Sequence, residues 1–122
     1  LQAHSFAKLG VVTTKTGQYS KMLLENMGVA KYFTCIIGRE NVINPKPSAE
    51  PILKALESFA PISKTHIYMI GDTPLDIQAA NNAGIQSIAV TTGYASLKTL
   101  KQYTSNIKDN ALKAVLSIKS NL

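Results

Sequence analysis

The stretch His66-Ile67-Tyr68-Met69-Ile70-Gly71-Asp72-Thr73-Pro74-Leu75-Asp76-Ile77-Gln78-Ala79-Ala80-Asn81-Asn82-Ala83-Gly84 decides the fold. Its opening, His66 to Ile70, is rich in β-branched and aromatic residues and reads as a strand, which Gly71-Asp72 breaks at once. Thr73 suits a helix N-cap, Pro74 the first helical position and Gly84 the stop, so a helix is predicted over Thr73–Ala83. Ala79, Ala80, Ala83 and Gly84 give that helix a small-residue face, which lets it approach a sheet closely. Another apolar run, Ser87–Thr91, follows almost immediately, and Thr92-Gly93 ends it. Strand, helix and strand joined by short loops form a parallel unit with a right-handed crossover.

The same alternation extends in both directions. Upstream, Leu1–Leu9 has helix-like apolar spacing closed by Gly10, and Val11–Thr14 reads as a strand. Gly17–Met27 is helical and is closed by Gly28, and Phe33–Ile37 is a strand ended by Gly38. A polar loop, Arg39–Pro47, leads to a helix capped by Ser48 that carries Ile52, Leu53, Leu56 and Phe59 and ends near Pro61. Downstream lie two weaker helical patterns, Leu97–Tyr103 and Ala111–Ile118. The expected fold is therefore α/β with a parallel sheet, in one domain or a large part of one.

Composition narrows the function. In 122 residues, 45% are hydrophobic and 16% charged, with 7 Gly and 5 Pro, which excludes disordered and fibrous chains. The longest apolar runs, such as Ile67–Ile70 and Ile88–Val90, fall far short of the ~20 residues that span a bilayer. No stretch has the make-up of a secretory signal. A single cysteine, Cys35, permits no internal disulfide and fits a reducing cytoplasm. The balance of 13 Lys+Arg against 7 Asp+Glu gives +6, but the basic residues are dispersed rather than clustered. A solvated basic surface is expected, with neither a nucleic acid nor a membrane as partner.

In an open parallel sheet, ligands bind outside the carboxyl ends of the strands. The residues just past those ends are Thr13-Thr14-Lys15, then Gly38 with the loop to Lys46, then Gly71-Asp72, then Thr92-Gly93. A hydroxyl at Thr13, followed by amides entering a helix, can hold phosphate oxygens, although a threonine at a strand end, taken alone, more often bonds to local backbone. Lys46 lies between Pro45 and Pro47, whose fixed φ stiffens the backbone and can aim the cation at one point. Asp72 leaves the end of a buried strand, where an unpaired carboxylate is costly, and Asp76 follows four residues on. The two could share a hard divalent cation, while Thr73 and Asp76 also fit a capping box.

Val11-Val12-Thr13-Thr14-Lys15, Lys46-Pro47 and Gly71-Asp72-Thr73-Pro74-Leu75-Asp76-Ile77-Gln78-Ala79-Ala80 with Ala83-Gly84 together resemble the haloacid dehalogenase-like hydrolases, most closely the phosphoglycolate phosphatase-like branch. The resemblance runs from about Leu9 to Gly93. Thr14 departs from a position that is commonly Asn in this branch. The resemblance implies a Rossmann-like three-layer core and a phosphatase that cleaves small phosphate monoesters through an aspartyl-phosphate. It further implies that Thr13 binds the transferring phosphoryl group, with Thr14 beside it, and that Lys46 neutralises charge. Asp72 is implied as a ligand of Mg²⁺, with Asp76 supporting the metal shell or bonding to Lys46.

The family's Asp-x-Asp-x-Thr motif, which supplies the nucleophile and the general acid/base, is not among these residues. The aspartates are Asp72, Asp76 and Asp109, and none precedes Thr13. The helical cap that selects substrate is likewise missing. The sequence therefore looks like the carboxyl-terminal portion of a phosphatase core, with an incomplete sheet and no expected turnover on its own. In the family's sheet the nucleophile strand lies between the strand ending at Asp72 and the strand ending at Thr13. The expectation is that an amino-terminal segment or fragment, or a strand-exchanged copy, fills that place, and that these strands do not close into one continuous sheet. A non-catalytic α/β module that binds phosphate or a partner is the alternative. A response-regulator receiver fits less well, because its acidic pair should follow an early strand.

Overall fold

The computed structural model describes residues 7–59, 61, 63–91 and 97–120, without the side chain of Thr65. In chain order the elements are β1 (Leu9–Val12), α1 (Gly17–Asn26), β2 (Phe33–Ile37), α2 (Glu50–Leu56), β3 (Tyr68–Gly71), α3 (Pro74–Ala83), β4 (Gln86–Val90), α4 (Leu97–Lys101), β5 (Ile107–Lys108) and α5 (Ala111–Ser120). Single 3₁₀ turns at Ala30–Tyr32, Arg39–Asn41 and Lys64–His66 join some of them. Every strand pairing is parallel. The α/β class and its alternation are as expected.

Local chemistry explains the best-formed helix. The Thr73 side chain accepts the Asp76 N–H, Asp76 reciprocates, Pro74 occupies the first turn, and Gly84 ends α3 at φ 73°. Lys64 adds a second closure by donating its ammonium to the Ala83 carbonyl at 3.0 Å. At α2 the cap is shifted by one residue. Ala49 takes the N-cap position, while the Ser48 hydroxyl still accepts the Glu50 N–H at 3.2 Å.

Several elements differ from expectation. Gly10 is a strand residue rather than a helix stop, because its missing side chain lets β2 and Phe59 come close. A Cβ there would stand 2.9 Å from the Cys35 sulfur. The rest of the helix expected over Leu1–Leu9 lies outside the described residues, apart from Ala7 to Leu9, which are not helical. The pair Thr92-Gly93 also lies outside them. Finally, β5 has no counterpart in the sequence pattern. Two residues are too short to show a period, and Ile107-Lys108 become a strand only by pairing with Ala89-Val90 of β4.

The strands form two sheets, β1-β2 and β3-β4-β5. Among the described residues, β1 pairs only with β2, and β3 only with β4, so each keeps one edge without a partner. As expected, the strands do not close into one continuous sheet among the described residues. The second sheet holds most of the core. Ile77, Ala89 and Leu100 form one cluster, and Ile88, Val90 and Ala114 another. Between the halves, Ile52 of α2 packs on Ala79, Ala80, Ala83 and Ile85. Among the described residues no helix is long and apolar enough to cross a membrane.

Candidate active site

Lys46 and Asp76 meet across the two halves. Lys46 comes from the loop after β2 and Asp76 from the first turn of α3. Its ammonium donates to Asp76 Oδ1, and both side chains are almost fully buried. The other oxygen, Oδ2, accepts the Asp72 N–H at 3.2 Å, the Thr73 N–H at 3.2 Å and the Thr73 hydroxyl at 3.1 Å. Both oxygens of Asp76 are thus committed, one to the lysine and one to the turn that leaves β3. Of the two roles the resemblance allowed for Asp76, the structure displays the bond to Lys46. Gly71 makes this possible, since a Cβ there would stand 2.2 Å from the Asp76 Cβ.

Asp72 differs from Asp76. It is half-buried at the strand end, and its carboxylate has no hydrogen bond or ion pair among the described residues. An oxygen ligand for a hard cation must be available in this way, and Asp72 fits that role. Asp76 is less open, because Oδ2 already accepts three hydrogen bonds and Oδ1 the Lys46 ammonium. No group of three or more His, Cys, Asp or Glu side chains could hold a metal ion among the described residues.

The turn after β1 is built around Thr13. Its N–H donates to the Ile37 carbonyl at 2.9 Å, and its Oγ1 accepts the Lys15 N–H at 3.1 Å. Accepting from Lys15 satisfies the local backbone and leaves the hydroxyl proton for another acceptor. Thr14 and Lys46 line one cleft of about 240 Å³ with Arg39, Val42, Ile43 and Pro45. A larger and more open hollow of about 480 Å³ runs along the outside of α1, past Tyr19 and Met22, and carries none of the groups gathered at the strand ends. Of the two, only the smaller cleft holds residues from the strand ends, Thr14 and Lys46.

Two carboxylates brace the Lys46 loop, and sequence reasoning passed over both. Glu40 Oε1 accepts the Gly17 N–H at 2.7 Å, so a side chain occupies the N terminus of α1. This and neighbouring N–H groups hold the Glu40 carboxyl below the usual glutamate range. Glu50 Oε2 accepts from the amides of Ile43 and Asn44. Neither acid sits in a motif; the signal lay in the nine-residue polar loop, whose amides need partners.

The family model of haloacid dehalogenase-like hydrolases matches residues 1–90. The chain belongs to that family. It is 41% identical over 86 residues to the phosphoglycolate phosphatase of Escherichia coli K12, a match covering 70% of this chain and 34% of that protein. The chain thus spans about a third of the length of the curated relatives it matches. Among solved structures, a predicted phosphatase from Clostridium acetobutylicum superposes with a TM-score of 0.82 at 28% identity, covering 98% of this chain and 57% of that one. A hydrolase of the same superfamily from Geobacter sulfurreducens gives 0.74 at 25% identity, covering 99% and 57%. The residues of this family member that form the cleft and the ion pair are those on which the resemblance rested, apart from Arg39, Val42, Ile43 and Pro45.

Proposed function

We propose that this chain is the portion of a phosphatase core that binds the phosphoryl group and positions charge around it, with small phosphoglycolate-like monoesters as substrate. The observation that carries this reading is the Lys46–Asp76 pair, which delivers a stiffly mounted cation from one half of the fold to the other. Thr13 would donate its hydroxyl proton to a phosphoryl oxygen, and Thr14 would donate from the cleft wall. Lys46 would offset charge on phosphate and nucleophile, which is most of what phosphoryl transfer asks of a protein. Asp76 then acts through Lys46 and the β3 turn, and Asp72 is the residue that would hold Mg²⁺. When bound, Mg²⁺ would supply electrostatic neutralisation of the phosphoryl oxygens.

The nucleophile and the acid/base aspartate would come from outside these 122 residues. The edges of β1 and β3 that have no partner among the described residues support a partner that adds a strand: an amino-terminal segment or a strand-exchanged copy. The lone Cys35 supports a cytoplasmic setting.

The test is hydrolysis of an aryl phosphate with Mg²⁺, run on this chain and on one extended at its amino terminus by an Asp-x-Asp-x-Thr strand. The extended chain is expected to turn over, the short one not, and Asp72→Asn should abolish metal-dependent turnover. Activity in the short chain would refute the mechanism. An inactive extended chain that still binds phosphate would favour the non-catalytic module.

A further inference from the structure

The N terminus of α1 is where an incoming phosphate would be expected to find amides, yet Glu40 already sits there. Three links run between the turn after β1 and the turn after β2. Glu40 Oε1 accepts the Gly17 N–H at 2.7 Å, and the Arg39 N–H donates to the Lys15 carbonyl at 2.9 Å. Thr13 N–H reaches the Ile37 carbonyl, also at 2.9 Å. The two turns interlock so closely that a Cβ on Gly38 would fall 2.0 Å from the Gly17 nitrogen. Within its own turn, the Asn41 side chain accepts the Gly38 N–H at 2.8 Å, which sets the direction in which residue 40 leaves the backbone. One turn carries Thr13 and Thr14; the other opens the loop that carries Lys46.

We propose that Glu40 is a positioning residue of the phosphate site: its carboxylate serves as a built-in anion at the α1 N terminus and fixes the Lys46 loop against the Thr13–Thr14 turn. The inference rests on the phosphate-binding reading given above. It assigns α1 a role different from direct anion binding, because the amide that a phosphate would use is occupied. It also has a counter-intuitive sign. A negative side chain near an anion site should repel the anion, so neutralising Glu40 would strengthen phosphate binding if the residue were only a nearby charge. A positioning role requires the opposite.

The experiment titrates inorganic phosphate into the 122-residue chain and follows backbone amide shifts of Thr14, Lys15 and Gly17, with the thermal midpoint measured in parallel. Phosphate should bind the unmodified chain, and Lys46→Met should remove that binding. Glu40→Ala removes the acceptor together with the charge and should weaken it roughly threefold to tenfold, the scale of one lost hydrogen bond. Glu40→Asp keeps the charge with a shorter reach and should fall between the two. Should Glu40→Ala fail to fold, the Asp variant carries the test, and affinity equal to that of the unmodified chain would overturn the inference. Phosphate bound equally or more tightly by Glu40→Ala overturns it too, as does a lowered thermal midpoint with unchanged affinity. Absence of binding by the unmodified chain defeats the phosphate-site reading itself, and the inference with it.

Discussion

The two sheets of this chain are built from similar residues but buried to different extents. In the β3-β4-β5 half, Ile88 and Ala89 are essentially inaccessible, and α3 adds Ile77, Ala79 and Ala80 with no exposure. In the β1-β2 half no residue of β1 is buried, only Ile37 of β2 is, and α1 leaves Met22 and Leu23 exposed with Met27 at 71%. Val11-Val12 and Ile36-Ile37 are as apolar as Ile88-Ala89-Val90, so composition does not cause the difference. Neighbours do. β4 has a strand on either side and helices packed against it, whereas β1 has one strand beside it and an edge without a partner among the described residues. Burial in a parallel sheet is a property of position in the sheet as much as of sequence.

The ion pair Lys46–Asp76 joins the two halves. Asp76→Ala leaves Lys46 buried without its carboxylate and strips the β3 turn of its acceptor, so denaturant unfolding should show a loss of about 3–5 kcal/mol. A loss below about 1 kcal/mol would mean that the halves do not depend on this link. The contrast in burial is sharpened by matched truncations. Ile88→Ala should cost about 2–5 kcal/mol, whereas Val12→Ala, on a half-buried edge, should cost roughly 1. Equal costs would remove the distinction. Native-state hydrogen exchange should rank the amides in the same order, β4 slowest and β1 fastest.

Smaller effects follow on the exposed side. Met27→Lys should change stability by no more than about 0.5 kcal/mol, because that side chain is in water already. Cys35 gives a pH readout. Burial is the main influence and raises its thiol above the usual value, with opposing hydrogen bonds from Ser58 and the Val11 backbone. The folded state therefore holds this proton more tightly than the unfolded one, and stability is lost as pH rises through the ordinary thiol range and beyond. Thiol modification should be slow near neutrality and accelerate only at alkaline pH. Rapid reaction at neutral pH would show that the β1-β2 half opens readily.

Most of the α/β alternation was legible because each element carried its own local signal. Thr73, Pro74 and Gly84 marked α3 at both ends, and Phe33 to Ile37 is the strand that its β-branched composition predicted. The misreadings have tertiary causes. Gly10 looked like a helix stop because glycine so often is one, but its small size serves a close approach of Cys35 and Phe59. β5 exists only because β4 offers it an edge. At the site, Thr13, Thr14, Lys46, Asp72 and Asp76 were visible as chemistry at strand ends. Glu40 and Glu50 were not, because their partners are main-chain amides that a side-chain motif does not record.

The alanine face of α3 reaches further than packing. Ala79, Ala80 and Ala83 let the helix lie close enough for Ile52 and Ile85 to touch it, and the same rigid helix begins at the turn that holds Asp76. It behaves as a lever whose fulcrum is made of methyl groups. A single added carbon at Ala80 would raise one end and tilt the other, and the tilt would be felt by Lys46, which no atom of Ala80 needs to touch. Mutational tolerance at this centre is thus set partly by the residues lining a helix more than a turn away.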